Sequence, residues 1–166
     1  MTRPNPGQSN TVLNILNQTA RDNAYILFGP PGTGKTVTLV ESIKQVWKMK
    51  PNTRLLVTAP SNAAADLLAM KLMEDIPEKE IVRLVAGSRD EKDLPPNRKF
   101  RRICRFTTKE YKLVNSVRVV VSTLVTSISK CIQSCNFHYV FVDEAGQVWP
   151  PKKSFSLYSY VQAISF

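Results

Sequence analysis

The stretch "FGPPGTGKT", Phe28 to Thr36, decides the fold. Gly29, Gly34, Lys35 and Thr36 stand in it at the spacing G-x-x-x-x-G-K-[ST]. Just before it, "AYILF", Ala24 to Phe28, is a short apolar run ending at glycine, which predicts a buried parallel strand. Just after it, Val37, Leu39, Val40, Ile43, Val46 and Trp47 recur at helical spacing and predict a core-facing helix from Lys35 to Met49, stopped by Pro51. A strand, a glycine-rich turn and a helix start make a phosphate-binding loop. Gly29, Gly32 and Gly34 let the backbone curl until its N–H groups converge on phosphate oxygens. The helix aims its positive end at the same point. Lys35 neutralises the β- and γ-phosphates of a nucleoside triphosphate, and Thr36 offers its hydroxyl to Mg²⁺.

Outward from the loop, strands and helices alternate. "NTVLNILNQTARD", Asn10 to Asp22, predicts a helix with one buried face. "RLLVTA" (Arg54 to Ala59), "IVRLVA" (Ile81 to Ala86), "VRVVVST" (Val117 to Thr123) and "YVFVDEA" (Tyr139 to Ala145) predict strands. Ser61 to Asp75 predicts a helix opened by a Ser or Asn cap. The expected fold is therefore α/β, a P-loop NTPase with a largely parallel sheet flanked by helices. A basic stretch at about 87–116, densest from Arg89 to Lys112, breaks the pattern. It reads first as a solvated loop or an excursion from the sheet. Its interleaved Phe100 and Phe106 suggest a contact with a phosphate backbone as the second reading.

Asp143 and Glu144 follow the apolar run "YVFV". An acidic residue at the carboxyl end of a parallel strand faces the same sheet edge as the phosphate loop. Asp143 is thus expected to hold Mg²⁺, and Glu144 to orient and activate the attacking water as a general base. The catalytic set is Lys35, Asp143 and Glu144, and the metal set Thr36 and Asp143.

Composition sets the surroundings. The chain has 166 residues, enough for one domain, and a net charge of +10 that favours a polyanionic partner such as nucleic acid. No apolar run approaches a membrane span, and "MTRPNPGQSN" lacks the apolar segment of a signal peptide, so an intracellular setting is expected. Cys104, Cys131 and Cys135 are too few for a disulfide framework. Cys131, Cys135 and His138 lie close in sequence, but without a fourth zinc ligand they read as ordinary buried or half-buried groups.

Three further motifs identify a family. "DEAGQ" (Asp143 to Gln147) resembles motif II of the Upf-one-like superfamily 1 helicases, and "APSNAAAD" (Ala59 to Asp66) resembles their motif Ia. "NPGQ" (Asn5 to Gln8) is similar to their Q motif, whose glutamine recognises adenine. "YILFGPPGTGKTVTLVESIKQV", "RLVAGSRD", "VRVVVSTLVTS" and "FHYVFVDEAGQ" look most like the Armitage branch, the relatives of the Moloney leukaemia virus ten helicase. A hexameric AAA+ ATPase shares the phosphate loop but not this motif Ia or "DEAGQ".

The resemblance covers roughly Asn5 to Gln147 and implies a RecA-like ATP-binding domain of an ATP-dependent RNA helicase moving 5′ to 3′. It implies ATP and Mg²⁺, with Gln8, Gly29, Pro30, Pro31, Gly32, Thr33, Gly34, Lys35, Thr36 and Val37 binding the nucleotide. It also implies RNA contacts at Pro60, Ser61 and Asn62, and less specifically at Ser122 and Thr123. A helix cap is the plain reading of Ser61, and the two roles are compatible. A cytoplasmic monomer in a small-RNA silencing setting, with silencing-pathway proteins as partners and ribonucleoprotein granules as a location, belongs to the same implication. Residues 1–147 are expected to be part of the first RecA-like domain and 148–166 a divergent tail without motif III. Taken alone, such a chain is expected to hydrolyse ATP slowly and unwind nothing. The alternative is a non-catalytic product that binds nucleotide or RNA.

Overall fold

The structure is a computed structural model that describes residues 6–17, 25–30, 32–108, 110–147 and 161–165. Its described strands are β1 (Tyr25–Leu27), β2 (Leu55–Ala59), β3 (Ile81–Ala86), β4 (Cys104–Thr107), β5 (Val119–Thr123), β6 (Tyr139–Val142) and β7 (Val161–Ser165). They form one sheet in the order β1-β7-β6-β2-β5-β3-β4, with every neighbouring pair parallel. The helices are α1 (Pro6–Leu16), α2 (Lys35–Met49), α3 (Asn62–Leu72), α4 (Arg98–Ile103) and α5 (Lys130–Gln133).

β2, β5 and β6 read as continuous apolar runs because both of their faces are covered, and every residue in the three strands is buried. On one face Leu55, Val57, Val119, Val121 and Phe141 join Leu39, Ile43 and Val46 of α2 and Leu68 and Leu72 of α3 in one core. On the other face Leu56, Val120, Val140 and Val142 pack with Ile132 of α5 and with Phe137. The α/β class and the parallel sheet are as the sequence predicts.

Several boundaries differ from the sequence reading. α1 starts at Pro6 and ends at Leu16, not at Asn10 and Asp22. Proline suits the first helical position, where its missing N–H is no loss. In α2 the expected bounds hold, but Val37 is 57% exposed, since the buried stripe begins only at Thr38 and Leu39. The basic stretch is not a plain loop. Asn97 caps α4 by accepting from the N–H groups of Lys99 (2.9 Å) and Phe100 (3.1 Å). Phe100 and Ile103 are buried one turn apart, and β4 then adds an edge to the sheet beside β3. A further difference lies after Gln147: the region read as a divergent tail contributes β7, which runs inside the sheet between β1 and β6.

Candidate functional site

The phosphate loop leaves the carboxyl end of β1 and enters α2. Gly32 and Gly34 have φ of 80° and 81°, the left-handed region that glycine adopts without steric cost. A Cβ at Gly29 would stand 2.9 Å from Thr33 Oγ1 and would turn that hydroxyl out of its present place. Thr33 Oγ1 donates to the carbonyl of Pro30 at 2.8 Å and ties the loop to itself. The Lys35 ammonium donates to the carbonyls of Gly29 (2.7 Å) and Pro30 (2.9 Å), which holds its charge inside the curl.

The acidic pair arrives from β6. The Asp143 N–H donates to the Thr58 carbonyl at 2.9 Å and so continues the β2–β6 ladder by one residue. That bond fixes where the carboxylate stands. Asp143 is 3% exposed, and its Oδ2 accepts from Thr36 Oγ1 at 3.2 Å across 107 residues of sequence. Its Oδ1 accepts from the Glu144 N–H at 3.1 Å. Glu144 is exposed and has φ of 50°, an uncommon conformation for a residue with a side chain. The turn after β6 thus points Asp143 inward and Glu144 outward.

These groups fit a magnesium nucleotide. A hydroxyl and a carboxylate oxygen meet at the helix start, which is the hard oxygen donor set Mg²⁺ takes. An ammonium and a glycine-rich N-terminus stand beside them for the phosphates. A cleft of about 320 Å³ lies between α1 and the loop, bounded by Gly7, Thr11, Phe28, Pro30 and Lys35 among others. Gln8 is on the first turn of α1, next to Gly7; its side chain lies outside the described residues, as does Pro31. Val37 is on the exposed side of the first turn of α2.

The second candidate set surrounds the start of α3. Ser61 caps the helix by accepting from the Ala64 N–H at 3.2 Å, Pro60 is half-buried, and Asn62 is the first helical residue. Ser122 and Thr123 do not join them at the surface. Ser122 is 0% exposed and its hydroxyl has no hydrogen-bond partner among the described residues. Thr123 is buried and shares a hydrogen bond of 2.8 Å with Thr126. Both lie in the last two positions of β5, with their side chains inside the packed layers, so neither presents a contact surface in this structure.

Behind α3 lies a charged cluster that the sequence reading passed over. Arg83, 0% exposed in β3, donates from Nε to Asp66 Oδ1 at 2.8 Å and from Nη2 to Asn62 Oδ1 at 3.0 Å. Arg89 donates to both oxygens of Asp66, at 3.2 and 2.8 Å. Burial lowers the pKa of Arg83, against the pull of Asp66, and burial also pushes the nearby Cys104 thiol up to about 11. The available signal was an arginine inside the apolar run "IVRLVA" and an aspartate at an inward position of α3. Cys131, Cys135 and His138 form no metal cluster among the described residues. The Cys135 thiol donates to the Cys131 carbonyl, and His138 Nδ1 accepts from the Arg54 N–H.

Comparison with known proteins bears on the whole arrangement. A family model described as AAA domain matches residues 3–101 and 96–159. MOV-10 of Gallus gallus, named as a helicase, is 40% identical over 158 residues, which cover 89% of this chain and 16% of that protein. The protein armi of Drosophila melanogaster, named as an RNA helicase, is 31% identical over 172 residues, covering 87% and 14%. The chain therefore spans about one-sixth of the length of these curated relatives. The solved nuclease-deletion form of the Type ISP restriction-modification enzyme LlaGI, in complex with a DNA substrate mimic, superposes with a TM-score of 0.65 at 17% identity. That superposition covers 99% of this chain and 17% of the enzyme, and shows a shared fold. The family match takes in both the phosphate loop and the Thr36–Asp143 contact, and the chain belongs to this AAA-domain family.

Proposed function

We propose that this chain is the ATP-binding part of an ATP-dependent RNA helicase that moves 5′ to 3′. The observation that carries the proposal is the Thr36–Asp143 contact, which brings the helix start after β1 and the acidic end of β6 to one point. In this reading Lys35 leaves the loop carbonyls to meet the β- and γ-phosphates, while the curl around Gly32 and Gly34 supplies N–H donors. Thr36 and Asp143 would hold Mg²⁺, which when bound offsets charge on the phosphate oxygens. Glu144 faces outward beside them and takes the proton of the attacking water. Gln8, on the helix flanking the cleft, would read the adenine.

Pro60, Ser61 and Asn62 would meet the RNA backbone, where the start of α3 already favours a phosphate. The net charge of +10 supports a polyanionic partner. The relatives extend far beyond the matched segment, and arginines completing the transition-state charge are sought there. The branch also supports a cytoplasmic monomer acting in RNA silencing with proteins of that pathway.

The test is a titration with a fluorescent adenine nucleotide and Mg²⁺, run on the chain and on its Lys35→Ala and Asp143→Ala variants. Losing one charge-assisted contact is expected to weaken binding on the order of tenfold to a hundredfold. Asp143→Ala should also lose the dependence on Mg²⁺. Equal binding by all three proteins would overturn the assignment.

A further inference from the structure

We propose that Arg83 is a positioning residue for nucleic-acid binding, acting through Asn62, and this rests on the reading that Asn62 meets RNA. Arg83 is wholly buried in β3, between the apolar residues Val82 and Leu84. Its guanidinium is used on three sides: Nε on Asp66, Nη1 on the Leu84 carbonyl, and Nη2 on Asn62 Oδ1 at 3.0 Å. Asp66 and a carbonyl already answer much of the charge. The third bond reaches instead to a half-buried residue in the first turn of α3.

That bond has a directional consequence. A guanidinium carries donors only, so Asn62 must turn its amide oxygen inward. The amide nitrogen, with two N–H donors, then stands on the opposite side of Cγ. No hydrogen bond among the described residues uses those donors. They stand next to Ser61 at the positive end of α3. Without Arg83 the amide could flip and present an oxygen, which repels phosphate.

The backing is rigid. Asp66, one turn along α3 and 3% exposed, is gripped by Arg83 and Arg89 together, and Arg89 also donates to the Asp93 carbonyl at 2.9 Å. Two guanidiniums against one carboxylate leave excess positive charge behind the helix start, of the sign an anion favours.

The experiment is a double-mutant cycle on the 166-residue chain, read by anisotropy of a labelled single-stranded oligouridylate. The proteins are wild type, Asn62→Ala, Arg83→Lys and the double variant. Each single change is expected to weaken RNA binding about tenfold, and the double variant no more than Asn62→Ala alone. Nucleotide binding should be unchanged throughout. If Arg83→Lys costs as much with Asn62 absent as with it present, the role is structural and the inference is overturned.

Should Arg83→Lys fail to fold, Asn62→Asp gives the same answer. It keeps an acceptor for Arg83 but puts a carboxylate oxygen where the NH2 stood. Loss of RNA binding with an unchanged or raised Tm is expected, and retained binding overturns the inference. The orientation is read without RNA by NMR, as a coupling across the hydrogen bond from Arg83 Nη2 to Asn62 Cγ. Its absence overturns the inference alone. A wild-type chain that shows the coupling but takes no RNA overturns the RNA reading, and the positioning role falls with it.

Discussion

Replacing Ser122 by alanine separates the role that family resemblance gives this residue from the place the fold gives it. The hydroxyl is 0% exposed and has no partner among the described residues, while the backbone of Ser122 sits in the ladder opposite Thr58. A hydroxyl desolvated without a partner costs about 1–3 kcal/mol. Removing it gives that back, less the packing of one small atom, which is worth at most the ~0.8 kcal/mol of a buried methylene. The expected result is a chain between unchanged and about 2 kcal/mol more stable, which for a domain of this size is roughly 2–4 °C in Tm per kcal/mol. Urea unfolding followed by circular dichroism, with an unchanged m-value, measures it. RNA affinity should not move, because a group with no exposed surface makes no contact. A loss of more than about 1 kcal/mol would show that the hydroxyl has a partner the packing argument missed. A fall in RNA affinity at constant stability would restore Ser122 to the binding surface.

Two other outcomes follow from the geometry. Gly34→Ala puts a Cβ on a residue at φ 81°, a cost of about 1–2 kcal/mol in stability, and displaces the neighbouring Lys35; both Tm and nucleotide affinity should fall. An unaltered nucleotide titration would mean that the loop does not hold this turn. The Cys104 thiol, raised by burial to about 11 from an ordinary 9.0, stays protonated in the folded chain where the unfolded chain has ionised. The folded state then binds more protons, so its stability should fall as pH rises from about 9 to 11, and Cys104→Ala should flatten that slope in pH-dependent unfolding. A slope that survives the substitution would assign it to another group.

What the sequence made legible was local. The phosphate loop, the bounds of α2, the Ser61 cap and the place of Asp143 each follow from spacing within a single strand and the turn or helix after it. What it concealed depended on neighbours far along the chain. Val37 fits the apolar stripe of α2 but lies in a first turn outside the core. Phe100 and Ile103 anchor α4, yet the surrounding arginines made the segment look like solvated loop. Ser122 fits a surface motif in sequence, but strands on both sides of β5 enclose it. Arg83 carried no signal of its own within the run "IVRLVA", because its partners Asp66 and Asn62 come from α3. The meeting of Thr36 with Asp143 was legible by another route, the rule that carboxyl ends of parallel strands share one sheet edge, although no local period encodes the strand order that sets their distance.

The position of β7 has a consequence for the order in which the molecule is assembled during synthesis. β1 is three residues long, and its sheet neighbour among the described residues is β7, with Tyr25 opposite Ala163 and Leu27 opposite Ser165. The central strands β2, β3 and β5 can register while the ribosome still holds the later residues. The strand that leads into the phosphate loop must wait for a partner at residues 161–165, far later in translation, and closing so long a loop is slow. Capture of nucleotide by a nascent chain should therefore appear abruptly, only after residues 161–165 have left the exit tunnel, although the phosphate loop itself leaves it much earlier.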